Sequence, residues 1–265
     1  MKNAATLSDD SRNLITYFIN AYAISWSIGV PLALANQGII PAILPQWTHY
    51  LIAFGPMLSA LIITAITQGL SGLKELGKRI IRWACPKWII VAFSPLIIGY
   101  IVLKILNALT GSQIVLSDFG VVNYLPPLGF RALLLWFFTF GLGEETGWRG
   151  FALPRLQKGR GALAATLILA AFWALWHLPQ FFYLFDPTMA VGWVIGLFAG
   201  AVILTWLYNS ANNSILMVAI WHACFNFMTA SQTNTGILPA VLSTIIIVWA
   251  VFVIIRYKPK YLMSI

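Results

Sequence analysis

The sequence predicts an all-α protein, a polytopic membrane bundle of about eight transmembrane helices, and three observations carry that prediction. Of the 265 residues 60% are hydrophobic and only 9% charged, with a mean hydropathy of +0.85. A soluble domain carries roughly 25% charged residues, so these few charges cannot cover a water-soluble surface. Apolar runs of about 20 residues, the length that crosses the hydrocarbon core, recur along the chain. They do not alternate apolar and polar residues as barrel strands do.

The runs lie near 14–34, 48–68, 88–108, 128–148, 162–182, 190–208, 212–229 and 237–256. The first follows a polar start containing Asp9 and Asp10 and is longer than the roughly 7–15 apolar residues of a signal peptide. Ala33-Leu34-Ala35 has the small residues of a cleavage site, but the length favours an anchor. The whole chain reads as a single membrane domain. Residues 1–125 hold the first three helices, 125–230 a core of four helices, and 231–265 the last helix with a basic tail.

Charge orders the connections. Lys74, Lys78, Arg79, Arg82 and Lys87 follow the second run, Arg149, Arg155, Lys158 and Arg160 the fourth, and Arg256, Lys258 and Lys260 the eighth. The connections near 35–47, 109–127, 183–189 and 230–236 hold Asp118 and Asp186 and no Lys or Arg. Short cytoplasmic loops are enriched in Lys and Arg, which puts both termini in the cytoplasm, in a multi-pass protein of the plasma membrane. The net charge of +9 is thus topological. Its residues sit at helix ends and not in one stripe, so no nucleic-acid partner is expected; the partner is membrane lipid. Residues 71–85 set Leu73, Leu76, Ile80, Ile81 and Trp83 among basic residues, the pattern of an amphipathic helix on an anionic membrane surface or of a basic loop.

Ionisable groups inside spanning segments are expensive and usually functional. Glu144, Glu145 and Arg149 lie in Gly-Glu-Glu-Thr-Gly-Trp-Arg-Gly, His177 in Phe-Trp-Ala-Leu-Trp-His-Leu-Pro, and His222 and Asn226 in His-Ala-Cys-Phe-Asn. The third histidine, His49, sits near a segment start. Glu145 and Arg149 are four apart and can pair, while Glu144 lies about 100° round an ideal helix. His222 and Asn226 share a face. Glu144 and His177 are nearly equidistant from the turn at 158–161, about 25 Å along either arm at 1.5 Å per residue, so both fall at one height. That requires the fourth helix to continue past Arg149, with a kink at Pro154. By the same counting, His177 and Asn226 lie nearer the poorly charged ends of their helices.

Each feature also has a plainer reading. Glu145–Arg149 can be a structural ion pair, His177 a core histidine, and His222–Asn226 polar glue between helices. Gly192, Gly196 and Gly200 predict close packing of the sixth helix. The twelve tryptophans suit interfacial belts. Cys85 and Cys224 lie in no CxxC or ligand-spaced set, and Cys224 reads as packing filler.

Glu-Glu-x-x-x-Arg at 144–149, Phe-x-x-x-x-His at 172–177 and His-x-x-x-Asn at 222–226 resemble the CPBP (Abi) family of intramembrane endopeptidases. That family includes the type II CAAX prenyl endopeptidases and bacteriocin self-immunity proteins. The resemblance covers roughly residues 125–230. It implies an intramembrane endopeptidase acting on a peptide or protein substrate, prenylated in the CAAX enzymes. Glu144 would activate a water, His177 would orient it, and His222 with Asn226 would stabilise the oxyanion. Glu145 and Arg149 would support them. Family members are described both as metal-free glutamate enzymes and as metalloproteases. The metal-free mechanism, with no cofactor required, is the favoured expectation. Zinc held by Glu144, His177 and His222 is the other. Two further readings use the same bundle: a non-catalytic immunity or partner-binding protein, and a small transporter with a proton-relay Glu.

Overall fold

The computed structural model describes residues 4–122, 124–230 and 236–264. Eight long helical segments run through them. The first is α1, Ala4–Asn36. A short 3-10 turn at Gln46–Thr48 and one turn of helix at His49–Ile52 lead into α2, Phe54–Ile80. Next come α3, Pro86–Thr110, and α4, an unbroken helical run over 131–156. Then follow α5, Ala162–Trp176, α6, Ala190–Ser210, α7, Ile215–Thr229, and α8, Ile237–Tyr257. Among the described residues no strand is present. The predicted bundle is the observed one, and each of the eight apolar runs falls on one of these helices. The expected connection at 230–236 lies almost wholly outside the described residues.

Among the described residues six segments are long and apolar enough to cross a bilayer: 10–36, 46–80, 86–110, 162–182, 187–210 and 237–257. The other two explain themselves physically. At 15 residues α7 rises about 22 Å, less than the hydrocarbon thickness. It is buried along nearly its whole length, so protein rather than lipid surrounds it. The fourth helix, α4, carries the buried acids and arginine. Lipid-facing surface lies instead on the outer helices, where Ile15, Ile66, Ile101 and Ile255 are exposed. Exposed aliphatic surface spread over several helices in this way is disfavoured in water and suits lipid.

The basic connections meet at one end of the bundle. Arg79 donates to the Gly150 carbonyl and to Tyr208 Oη, each at 2.9 Å, and Arg82 to the Asn212 carbonyl at 2.8 Å. The amides of Ala162 and Leu163 donate to the carbonyls of Lys260 and Pro259, and Lys158 pairs with Asp10. Both ends of the chain thus reach the 158–163 turn. Gly69 breaks α2 with a left-handed φ of 63°. Beyond it the segment predicted to be amphipathic is helical as far as Ile80. Its Leu76 is buried within the protein, while Ile81 and Trp83 remain exposed.

Two stretches of α4, Phe137–Glu144 and Trp148–Ala152, are wound as π-helix. Such wide winding is rare and collects at functional sites. Its neighbours come unusually close. A Cβ added at Gly141 would lie 2.7 Å from the Ala219 carbonyl oxygen, and one at Gly147 2.5 Å from the Pro56 carbonyl. The glycines of Gly-Leu-Gly-Glu-Glu-Thr-Gly-Trp-Arg-Gly thus let α4 nest between α2 and α7. The small-residue step predicted for α6 does not behave this way. Nothing lies within 4 Å of a Cβ built at Gly192, Gly196 or Gly200. Gly192 is exposed and Gly200 buried, yet at none of the three does a neighbour come near enough to require glycine.

Candidate active site

Nesting α4 against α7 places two adjacent carboxylates beside a histidine from another helix. Glu145 Oε1 accepts from Arg149 Nη1 at 2.9 Å, the i,i+4 pair read from the sequence, and neither side chain is solvent-exposed. The same oxygen lies 2.9 Å from His222 Nδ1. Glu145 therefore bridges its own helix to α7, a contact the sequence reading did not anticipate. Breaking such a buried pair by removing one partner leaves an uncompensated charge.

Glu144 points to a different neighbour. Its Oε2 accepts from the Trp173 indole Nε1 at 2.7 Å, and the residue is buried. His177 caps the end of α5. Its Nδ1 is 2.7 Å from the Trp173 carbonyl oxygen, which can only accept, so Nδ1 carries a proton. Trp176 and Trp193 hold the imidazole edge-on, with ring centroids at 4.7 and 4.9 Å.

Trp173 is thus the hub. Its indole holds Glu144, its carbonyl orients His177, and its ring meets His222 edge-to-face at 5.4 Å. The Arg149 guanidinium lies 4.5 Å from the same ring, in cation–π range. The structure accordingly gathers Glu144, Glu145, Arg149, His177 and His222 around one residue. Asn226 lies one turn beyond His222 on α7, half-buried, its carbonyl accepting from the Ala230 amide. The continuation of α4 past Arg149 is also present, running through Pro154.

Trp173 escaped the sequence reading although a signal existed, since it stands four residues before His177 and so shares its face. The tryptophans as a class were misread. Seven of the twelve are buried, four of them, Trp136, Trp148, Trp176 and Trp221, almost completely. Trp148 meets Trp176 edge-on at 5.9 Å between α4 and α5, and Trp88 meets Trp206 at 5.2 Å between α3 and α6. Tyr17 was missed too. It brings α1 to the back of α4, stacking on Phe151 at 4.9 Å and meeting Trp148 edge-on. His49 is buried apart from the carboxylates, with Nδ1 2.8 Å from Tyr183 Oη.

Among the described residues no three His, Cys, Asp or Glu are grouped so that they could hold a metal ion.

Comparison with known proteins points to the same helices. Residues 126–228 match the family described as type II CAAX prenyl endopeptidase, Rce1-like. CAAX prenyl protease 2 of Methanococcus maripaludis is 31% identical over 103 residues, an alignment that covers 36% of this chain and 37% of that protein. The chain thus matches little more than a third of the relative's length. The resemblance read from three short motifs is therefore real, and over the helices that build this site it is to the type II CAAX prenyl endopeptidases.

Proposed function

We propose that the protein is an intramembrane endopeptidase in which Glu144 activates the attacking water. One observation carries the reading: Trp173 fixes a buried carboxylate, Glu144, beside two imidazoles whose orientations are set by separate partners. Preorganised groups of this kind supply much of an enzyme's rate, because nothing need reorganise as charge develops.

The roles follow from the donors. His177, protonated at Nδ1, offers an Nε2 lone pair that accepts from the water and orients it. Glu144 takes the water's other proton as the oxygen attacks the scissile carbonyl, then delivers it to the departing amine. His222 donates Nδ1–H to Glu145, so its Nε2 can donate to the oxyanion only as an imidazolium. Asn226 supplies the second oxyanion donor. Glu145 and Arg149 position His222 and touch no substrate.

The substrate class follows from the relative's name. A peptide bearing a prenyl group near its C-terminus would enter from the bilayer, with the basic end of the bundle in the cytoplasm by the positive-inside rule. The immunity and transporter readings gain no support from the comparisons.

The test uses purified protein in proteoliposomes, given a farnesylated CAAX peptide and the same peptide unprenylated. The expected result is release of the C-terminal tripeptide from the prenylated peptide alone. No cleavage of either peptide, or of any protein in membranes profiled with and without the chain, would sink the peptidase reading.

A further inference from the structure

A groove of about 560 Å³ opens at the basic end of the bundle, between α1 and the turn joining α4 to α5. Its floor is apolar. Phe18 of α1 stacks on Phe172 of α5 with ring centroids 4.0 Å apart, and Leu14 continues the surface. Below it, Tyr22 Oη donates to the Phe172 carbonyl and holds the two helices together. Ile15, 61% exposed, forms the side that faces lipid.

The rim has the opposite character. Arg155, Lys158 and Arg160 line it, and Asp10 is the one carboxylate among the described lining residues, so three cations face one anion there. Arg155 is held in place, its guanidinium 3.5 Å from the Phe151 ring centroid and donating to the Phe151 carbonyl. Lys158 pairs with Asp10 across the mouth. Cations above an apolar trough open to the bilayer match one chemistry, a phosphate head joined to acyl chains. Near a membrane surface each such Lys or Arg attracts anionic lipid, and the trough provides far more room than a phosphate group needs.

We infer that this groove binds an anionic phospholipid, with its phosphate between Arg155, Lys158 and Arg160 and its upper acyl carbons on Leu14, Phe18 and Phe172. The site is separate from the carboxylates around Trp173. Its occupant would brace α1 against the α4–α5 turn.

The experiment uses the full chain, delipidated in detergent, and compares dioleoyl phosphatidylglycerol, dioleoyl phosphatidylcholine and inorganic phosphate by native mass spectrometry and thermal unfolding. One phosphatidylglycerol should be retained per chain, with a raised Tm, while phosphatidylcholine and phosphate do neither. Lys158→Gln/Arg160→Gln should weaken that binding about tenfold or more, and the charge-matched Lys74→Gln/Lys78→Gln should not. A photoactivatable phosphatidylglycerol on the parent protein should label residues 10–18 and 155–172, a readout that stands even if the variant fails to fold. Equal retention of both lipids, equal loss in both variants, saturation by phosphate alone, or labelling elsewhere would each overturn the proposal.

Discussion

The Trp173 indole donates to Glu144 Oε2 at 2.7 Å, and so a residue of α5 fixes the carboxylate of α4 on which the proposed chemistry depends. Because the same residue's carbonyl orients His177, base and water-orienting imidazole are set by one side chain and its own backbone. Trp173→Phe keeps an aromatic ring and removes the donor. A hydrogen bond to a charged group is worth about 1.5–3 kcal/mol, so kcat should fall roughly tenfold to a hundredfold. KM should stay near the parent value. Unchanged kcat would mean that the indole is only packing.

The Glu145–Arg149 pair is fully buried, and His222 leans on the same oxygen. Arg149→Met removes the guanidinium and leaves Glu145 only the His222 imidazole, and a broken buried pair costs about 3–5 kcal/mol. Thermal unfolding in detergent should show a large loss of Tm. Glu145→Gln/Arg149→Met, with no charge left over, should recover part of it. A double variant as unstable as the single one would contradict the pairing.

Two glycines on different helices give opposite expectations. At Gly147 an added methyl meets the Pro56 backbone, and Gly147→Ala should cost about 1–3 kcal/mol through overpacking. At Gly196 nothing is near, so Gly196→Ala should be neutral or stabilise the helix by up to about 1 kcal/mol. Chemical denaturation of the two variants side by side decides it. Equal destabilisation would mean that α6, not only α4, is closely packed.

His49 provides a contrast to the other histidines. Its imidazole bonds to Tyr183 Oη at 2.8 Å, away from the acids. Tyr183→Phe should lower stability by about 0.5–1.5 kcal/mol and leave peptide cleavage at the parent rate. A fall in kcat at unchanged stability would bring His49 into the reaction.

Most of the architecture was legible because lipid imposes a length. An apolar run near 20 residues can be little else, and 86–110 and 237–257 announce themselves that way. The site was legible for a related reason, since Glu144, Glu145, His177 and His222 are costly in an apolar run unless they meet. What stayed hidden depends on pairings between helices. The π-winding of Phe137–Glu144 leaves no mark on hydropathy, and the glycines that permit it look the same as those at 192–200. Leu76 fits an amphipathic surface helix by spacing, yet beyond the break at Gly69 it lies buried within the protein. The link from Glu145 to His222 spans 77 residues, beyond any local pattern.

Glu144→Gln keeps the shape of the side chain, can still accept from the Trp173 indole, and removes only the basic carboxylate. Cleavage of a farnesylated CAAX peptide should be measured for parent and variant at matched Tm and matched amounts in the bilayer. Loss of the general base together with charge stabilisation predicts a fall of at least about a hundredfold in kcat. A variant that hydrolyses the peptide at the parent rate would show that the reaction does not run through Glu144.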